Sequence, residues 1–192
     1  MPLSDSEIIE NIRKGAKHHY ARLVDRYKNK AITLAVRMLK NREDAEEATQ
    51  DAFIRAYNAL DKFEGASKFS TWLYRIVYNA CLTKLGQRRK EFELLDYEDE
   101  KDYGNIEEWQ SSSVLSELEV KDMITLIKKV IDTLPAKYGT IISLFYFQEL
   151  SHNEICEIMQ LPLGTVKTQL FRARALLQER LTKELQQEDV AV

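Results

Sequence analysis

Residues 150–177 read LSHNEICEIMQLPLGTVKTQLFRARALL. Ser151 and Glu154 have the spacing of a capping box, in which a hydroxyl and a carboxylate satisfy backbone N–H groups at a helix start. A short helix is therefore expected through Met159. QLPLG follows as a turn, and a longer helix is expected from Thr165. A short helix, a tight turn with Gly and a longer helix is the layout of a helix-turn-helix. In the longer helix Val166, Leu170, Ala173 and Leu177 recur at four, three and four residues, the spacing of one buried stripe. Lys167, Thr168, Phe171 and Arg172 are left on the outer side near the N-terminus, the part of such a motif that enters the major groove. Lys and Arg suit phosphate or the guanine edge, Thr bonds to either, and Phe presses on a thymine methyl. Thr165 can offer backbone N–H groups to a phosphate. Cations on a surface helix are common, so the exposed aromatic Phe171 is what separates a DNA face from a solvated one.

Helical period extends outward from this motif in both directions. Before it, Leu118, Met123, Ile127, Val130, Ile131 and Leu134 mark a helix that Pro135 ends, and another is expected over residues 136–147. At the other end, Ser4 and Glu7 form a second capping box, and Gly15 closes a helix carrying Ile8, Ile9 and Ile12. A stretch from Lys17 to Leu39 follows, with a break expected near Lys28 and Asn29. Asn41 opens a helix whose Ala45, Ala48, Ala52 and Ala56 suit close helix packing. After the loop 61–68, Phe69, Trp72, Leu73, Ile76, Val77 and Ala80 define a helix that Gly86 weakens. No strand pattern competes, so the chain reads as all-α.

The chain has 192 residues, enough for one large or two small domains, with 44% apolar and 31% charged residues and a net charge of −3. Residues 1–90 carry 18 Lys and Arg against 11 Asp and Glu, residues 91–122 carry 2 against 12, and residues 123–192 carry 8 of each. The acidity is thus concentrated in a middle stretch without helical period, which reads as a linker. Its Phe92, Tyr97, Tyr103 and Trp109 exceed what a passive spacer needs. No apolar run approaches the roughly 20 residues of a membrane span, and the start lacks a secretory layout. Cys81 and Cys156 have no metal-ligand spacing and suit reduced thiols in a cytoplasmic protein. No metal cluster, phosphate-binding glycine loop or nucleophile–base pair points to an enzyme, a metal or a cofactor.

On the helix from residue 69, Arg75, Asn79 and Leu82 lie opposite the apolar stripe, flanked by Trp72, Tyr74 and Tyr78, with Lys62, Lys68 and Lys84 nearby. Cations that follow a backbone, aromatics that stack on bases and an amide that reads an edge together suit single-stranded DNA. Trp72 lies on the apolar stripe and fits the core as well as a base.

Three segments, EDAEEATQDAFIRAYNALDKFEG, KFSTWLYRIVYNA and LSHNEICEIMQLPLGTVKTQLFRARALL, occur in the order found in the extracytoplasmic-function (group IV) sigma factors of bacterial RNA polymerase, and the chain resembles that family over nearly its whole length. The resemblance implies two small helical domains: a sigma-2 bundle over residues 1–90 and a sigma-4 helix-turn-helix domain over residues 121–192, joined by an acidic linker over 91–120. Sigma-2 would dock on the beta-prime clamp helices through Glu47, Gln50, Asp51 and Ile54. It would read and open the −10 element through Phe63, Lys68, Phe69, Ser70, Thr71, Trp72, Arg75 and Asn79. Sigma-4 would read the −35 element through Thr165, Lys167, Thr168, Phe171 and Arg172. The partners implied are core RNA polymerase (clamp helices and beta flap), promoter DNA and an anti-sigma protein. Thr83 and Gly86 depart from the charged pattern usual after the asparagine, and Gln169 stands where many relatives carry Arg. An autonomous helix-turn-helix regulator would explain residues 134–180 equally well, but not the segments over 41–85.

Overall fold

The structure is a computed structural model that describes residues 3–91 and 117–190. Among these it contains eight α-helices and no strand. Helix α1 (Asp5–Arg13) starts at Ser4, whose side chain accepts from the Glu7 N–H while Glu7 returns to the Ser4 backbone, so the capping box is closed. A short 3-10 turn leads into α2 (Tyr20–Leu39), which runs unbroken through Lys28 and Asn29. The expected break is absent because half-buried Tyr27 stands one turn from both Leu23 and Ala31, so the side that buries Leu23 continues into Ala31, Leu34, Ala35 and Met38 past the two polar residues. Lys40 ends α2 in the left-handed region, at φ 52°. Asn41 then caps α3 (Arg42–Ala59) by accepting from the Asp44 N–H at 3.0 Å.

Helices α2, α3 and α4 (Phe69–Glu91) form a bundle. Ala31, Ala35, Ala45, Ala48, Ala52, Ala56 and Ala80 on these helices are all buried, and their small side chains allow close packing. The buried aromatics Phe53, Phe69 and Tyr74 fill the remaining space. The bundle is closed by polar ties: the Tyr20 hydroxyl donates to the Phe53 carbonyl at 2.6 Å, and Asp5 accepts from both Arg26 and Tyr27. In the loop between α3 and α4, Gly65 sits at φ +75°, a conformation that favours glycine. Arg13 donates to the carbonyls of Leu60 and Phe63, tying this loop to α1. Gly86 lies inside α4 rather than at its end.

The second half comprises α5 (Glu117–Thr133), α6 (Ala136–Ile142), α7 (His152–Met159) and α8 (Leu163–Val190). Helix α8 is the spine against which α5, α6 and α7 pack. It starts two residues before Thr165. The expected helix over 136–147 is α6 followed by a wider π-type turn over Ser143–Phe147, closed by the Gln148 N–H on the Ser143 carbonyl. Ser151 and Glu154 form the second capping box. The linker aromatics Phe92, Tyr97, Tyr103 and Trp109 lie outside the described residues.

The two halves pack on each other, α2 against α6 and α4 against α7, and the buried apolar residues form one cluster that spans both.

Candidate nucleic-acid interface

Helix α8 is anchored by Val166, Leu170 and Ala173, each at most 1% exposed, with Leu177 partly buried beside them. This fixes the rotation of the helix, and the opposite side has Lys167, Thr168 and Phe171 exposed, Phe171 by 40%. Arg172 and Thr165 are half-buried beside them. A concave site of about 500 Å³ opens at the start of α8, lined by Pro162, Gly164, Thr165, Thr168 and Arg172 of the turn and helix and by Lys137 and Tyr138 of α6. The first N–H groups of a helix lack intrahelical acceptors, so this site combines amide donors, a hydroxyl and cations, the set that holds a phosphate.

Lys137 and Tyr138 gave no sign in the sequence, because they lie on α6 and reach the site only through the fold. Arg174 was also missed. It lies two turns beyond Lys167, on the same side of α8, and stacks over the rings of Phe145 and Tyr146 at 5.3 and 5.6 Å.

On α4 the candidates divide. Arg75 is exposed, and Asn79, Ser70 and Trp72 are half-buried. Trp72 lies against Phe63 and Phe69 with centroids 5.1 and 5.7 Å apart, so one of its faces belongs to an aromatic cluster. Phe69 is 3% exposed and sits inside that cluster. Tyr74, placed by the sequence beside the outer face, is 2% exposed and belongs to the core, where burial pushes its phenol above the ordinary value. Thr71 has no exposed surface; its hydroxyl donates to the Glu154 carboxylate of α7 at 3.3 Å. Lys68 is exposed and pairs with the same carboxylate oxygen at 3.0 Å. Burial works to raise the Glu154 carboxyl, but the donors of Ser151 and the Lys68 ammonium overcome it and hold the group at about 2. Neither Glu154 nor its partners Lys68 and Thr71 could be joined from the sequence, in which they stand more than eighty residues apart.

The third surface lies on α3. Ile54 is 53% exposed, Glu47 and Gln50 are exposed, and Asp51 pairs with Arg55 at 2.5 Å. Lys84 of α4 donates to Glu47 at 2.5 Å. Gln50 and Ile54 border a largely apolar groove of about 680 Å³ between α2 and α3, with Tyr20, Val24, Ile32, Phe53 and Tyr57 in its walls. Thr49, also in its wall, is buried, and its hydroxyl has no hydrogen-bond partner.

Among the described residues no three of His, Cys, Asp and Glu gather to hold a metal ion, and no helix is long and apolar enough to cross a membrane.

A helical bundle with an apolar groove, packed against a helix-turn-helix whose outer face is exposed and cationic, suits a two-part DNA-binding protein. Residues 23–91 match the family model Sigma-70 region 2, and residues 124–177 match Sigma-70, region 4. The chain is 39% identical over 179 residues to the ECF RNA polymerase sigma factor SigW of Bacillus subtilis, covering 90% of this chain and 94% of that one. It is 34% identical over 188 residues to the ECF RNA polymerase sigma-E factor of Haemophilus influenzae, covering 93% and 96%. The fold is similar to that of the sigma factor RpoE of Bartonella quintana, solved with the anti-sigma factor NepR, at a TM-score of 0.62 and 24% identity over 85% of this chain and 96% of the other. The chain belongs to the extracytoplasmic-function sigma factors of the sigma-70 family.

Proposed function

We propose that this chain binds core RNA polymerase and directs it to promoters, with the bundle over residues 1–90 reading and opening the −10 element and the domain over residues 121–192 reading the −35 element. The observation that carries the reading is the exposed Lys167, Thr168 and Phe171 face beside the concave site of Thr165, Arg172 and Lys137, on a helix whose other side is sealed. The double-stranded element would be read there, with phosphates held at the start of α8. Phe63, Lys68, Ser70, Trp72, Arg75 and Asn79 would follow and stack the unpaired strand; Phe69 and Thr71 would act from within, shaping the surface or emerging when the halves part. Glu47, Gln50, Asp51 and Ile54 would meet the clamp helices of the beta-prime subunit beside the apolar groove, and the beta flap would contact the second domain. An anti-sigma protein that covers these surfaces fits the similar fold of the Bartonella quintana sigma factor RpoE, solved with the anti-sigma factor NepR. The chain would work in the cytoplasm by recognition, without catalysis.

Run-off transcription with purified core polymerase on a promoter library tests this. Transcripts that start at defined sites only when the chain is added, and that are lost with Lys167→Ala plus Arg172→Ala, are expected. Specific promoter footprints without core polymerase, and no change in start sites with it, would favour an autonomous regulator instead.

A further inference from the structure

The cations of α8 are not held alike. Arg180 donates to the carbonyl and hydroxyl of Thr133, and Lys183 pairs with Glu179. Arg174 is exposed and has no carboxylate partner among the described residues. It lies instead over two rings, Phe145 at 5.3 Å and Tyr146 at 5.6 Å. These rings meet edge to face on the wide turn Ser143–Phe147, with centroids 5.0 Å apart. Phe145 also packs on His152, the first residue of α7, at 5.1 Å. Tyr146 stands half in water. The carboxylate at that helix start, Glu154, is turned toward Lys68 and Thr71.

A guanidinium is weakly hydrated and stacks on ring faces, which fixes its plane and leaves its N–H groups free at the edge. A fork already held in place loses little freedom on binding, and it matches the paired oxygens of a phosphate. Its position is as telling as its chemistry. Lys167, Phe171 and Arg174 recur at four and three residues, so Arg174 continues the exposed stripe of α8. Side chains lean toward the N-terminus of their helix, which brings Arg174 back toward Phe171. At 3.6 residues per turn, Arg174 points about 120° or more away from Thr165, Thr168 and Arg172, the α8 residues of the concave site. Neither Phe145 nor Tyr146 borders that site. A helix in a major groove about 12 Å wide fills it and has a phosphate backbone on each side. The concave site suits one of the two. The first helix of a helix-turn-helix crosses a backbone, and the rings that carry Arg174 stand at the start of that helix.

We propose that Arg174, held on Phe145 and Tyr146, grips the phosphate backbone on the side of the major groove opposite the concave site, so that the second domain clamps duplex DNA from both banks. The proposal rests on the promoter reading above and adds to it a contact that carries no sequence information but fixes how α8 sits in the groove.

The test uses holoenzyme on a duplex promoter fragment recovered from the run-off library, titrated over roughly 50–200 mM salt. Arg174→Gln is expected to weaken binding several-fold and to lower the slope of log K against log salt by about 0.9, with start sites unchanged. Arg174→Lys and Tyr146→Leu keep the charge and lose the stacking or one of its two supports. Both should keep the slope and bind with intermediate affinity. Lys183→Gln, which removes a paired cation of the same helix, should alter neither. A role confined to packing predicts lower stability in urea and an unaltered slope for Arg174→Gln, and that result would overturn the grip. Weaker assembly with core polymerase at an unaltered slope would overturn it too, assigning the cluster to a protein partner. A second measurement needs no variant of the chain. Neutral methylphosphonates placed one at a time around the −35 element should weaken wild-type binding at phosphates of both strands; sensitivity confined to one strand would sink the proposal even where the variants fold poorly. Binding lost with Lys167→Ala plus Arg172→Ala but untouched by Arg174→Gln would remove the grip and leave the promoter reading standing. Start sites indifferent to the chain would remove that reading and the grip with it.

Discussion

Phe171 has two-fifths of its surface in water on a helix whose far side is sealed by Val166, Leu170 and Ala173. Removing its ring costs the core little, so an effect of Phe171→Ala is a binding effect. Its neighbours separate by chemistry. If Arg172 or Lys167 bonds a base edge, replacement by Ala is expected to cost about 1–3 kcal/mol and to relax preference at one position. If either bonds a phosphate, all sequences weaken alike and the slope of log K against log salt falls by about 0.9. Salt titrations of duplex binding by each single variant decide between these. The thiols give a second residue-scale prediction. Cys81 is fully buried, and burial pushes its thiol up to about 12, while Cys156 is half-buried. At pH 8 iodoacetamide should label Cys156 in the native chain and Cys81 only after denaturation, as read by mass spectrometry. A native chain labelled first at Cys81 would refute this placement. Single residues were legible wherever their partner lay within one helical turn, as with Ser4 and Glu7 or Ser151 and Glu154. Arg37 was not, because its partners Asp132, Ser143 and Phe147 stand roughly a hundred residues away and an Arg near a helix end reads as solvated.

At the scale of the element, the start of α7 joins local and distant demands on one carboxylate. Glu154 accepts from the Ser151 backbone at 2.9 Å and hydroxyl at 2.8 Å, and from Lys68 and Thr71 across the seam. Replacing Ser151 by Ala removes the cap and is expected to cost about 1 kcal/mol, measured by urea unfolding. The carboxyl also carries a pH signature. Its ordinary value is 4.5 and its folded value is about 2, a depressed group, so the stability it contributes is present above about pH 4.5 and is lost as pH falls toward 2. The stability difference between wild type and Glu154→Gln should therefore shrink over that window; a constant difference down to pH 2 would show that the carboxylate is not held by these donors. Helix positions were readable because caps and apolar stripes are local. The continuity of α2 was misjudged because Lys28 and Asn29 look like a breaker, whereas the buried stripe on either side carries the helix through. The wide turn at Ser143–Phe147 left no trace in the sequence, since its apolar residues satisfy helical period equally well.

For the molecule as a whole, the apolar cluster that runs through both halves bears on cooperativity. The sequence implies two domains but leaves open whether they are mobile or packed together, because the seam is made of residues that each half would otherwise present to solvent. If the seam is energetically real, the halves share one unfolding transition. With Trp109 replaced by Phe, the remaining tryptophan, Trp72, reports on the first half, packed against Phe63 and Phe69, and helical circular dichroism reports on both. A single cooperative unit requires the two signals to change together in urea. Arg37→Ala removes the guanidinium that bonds Ser143, approaches Asp132 and covers Phe147. Deleting one member of a buried, hydrogen-bonded charge pair costs about 3–5 kcal/mol; Asp132 remains solvated, so a loss at or below the lower end is expected here. That loss falls on the seam rather than on either core. The variant should unfold with a fluorescence transition displaced from the circular dichroism transition, and the first half should melt as it would without its neighbour. Coincident curves in wild type and separated curves in the variant are the expected pair. Separated curves already in wild type would mean that the shared apolar cluster does not couple the two halves.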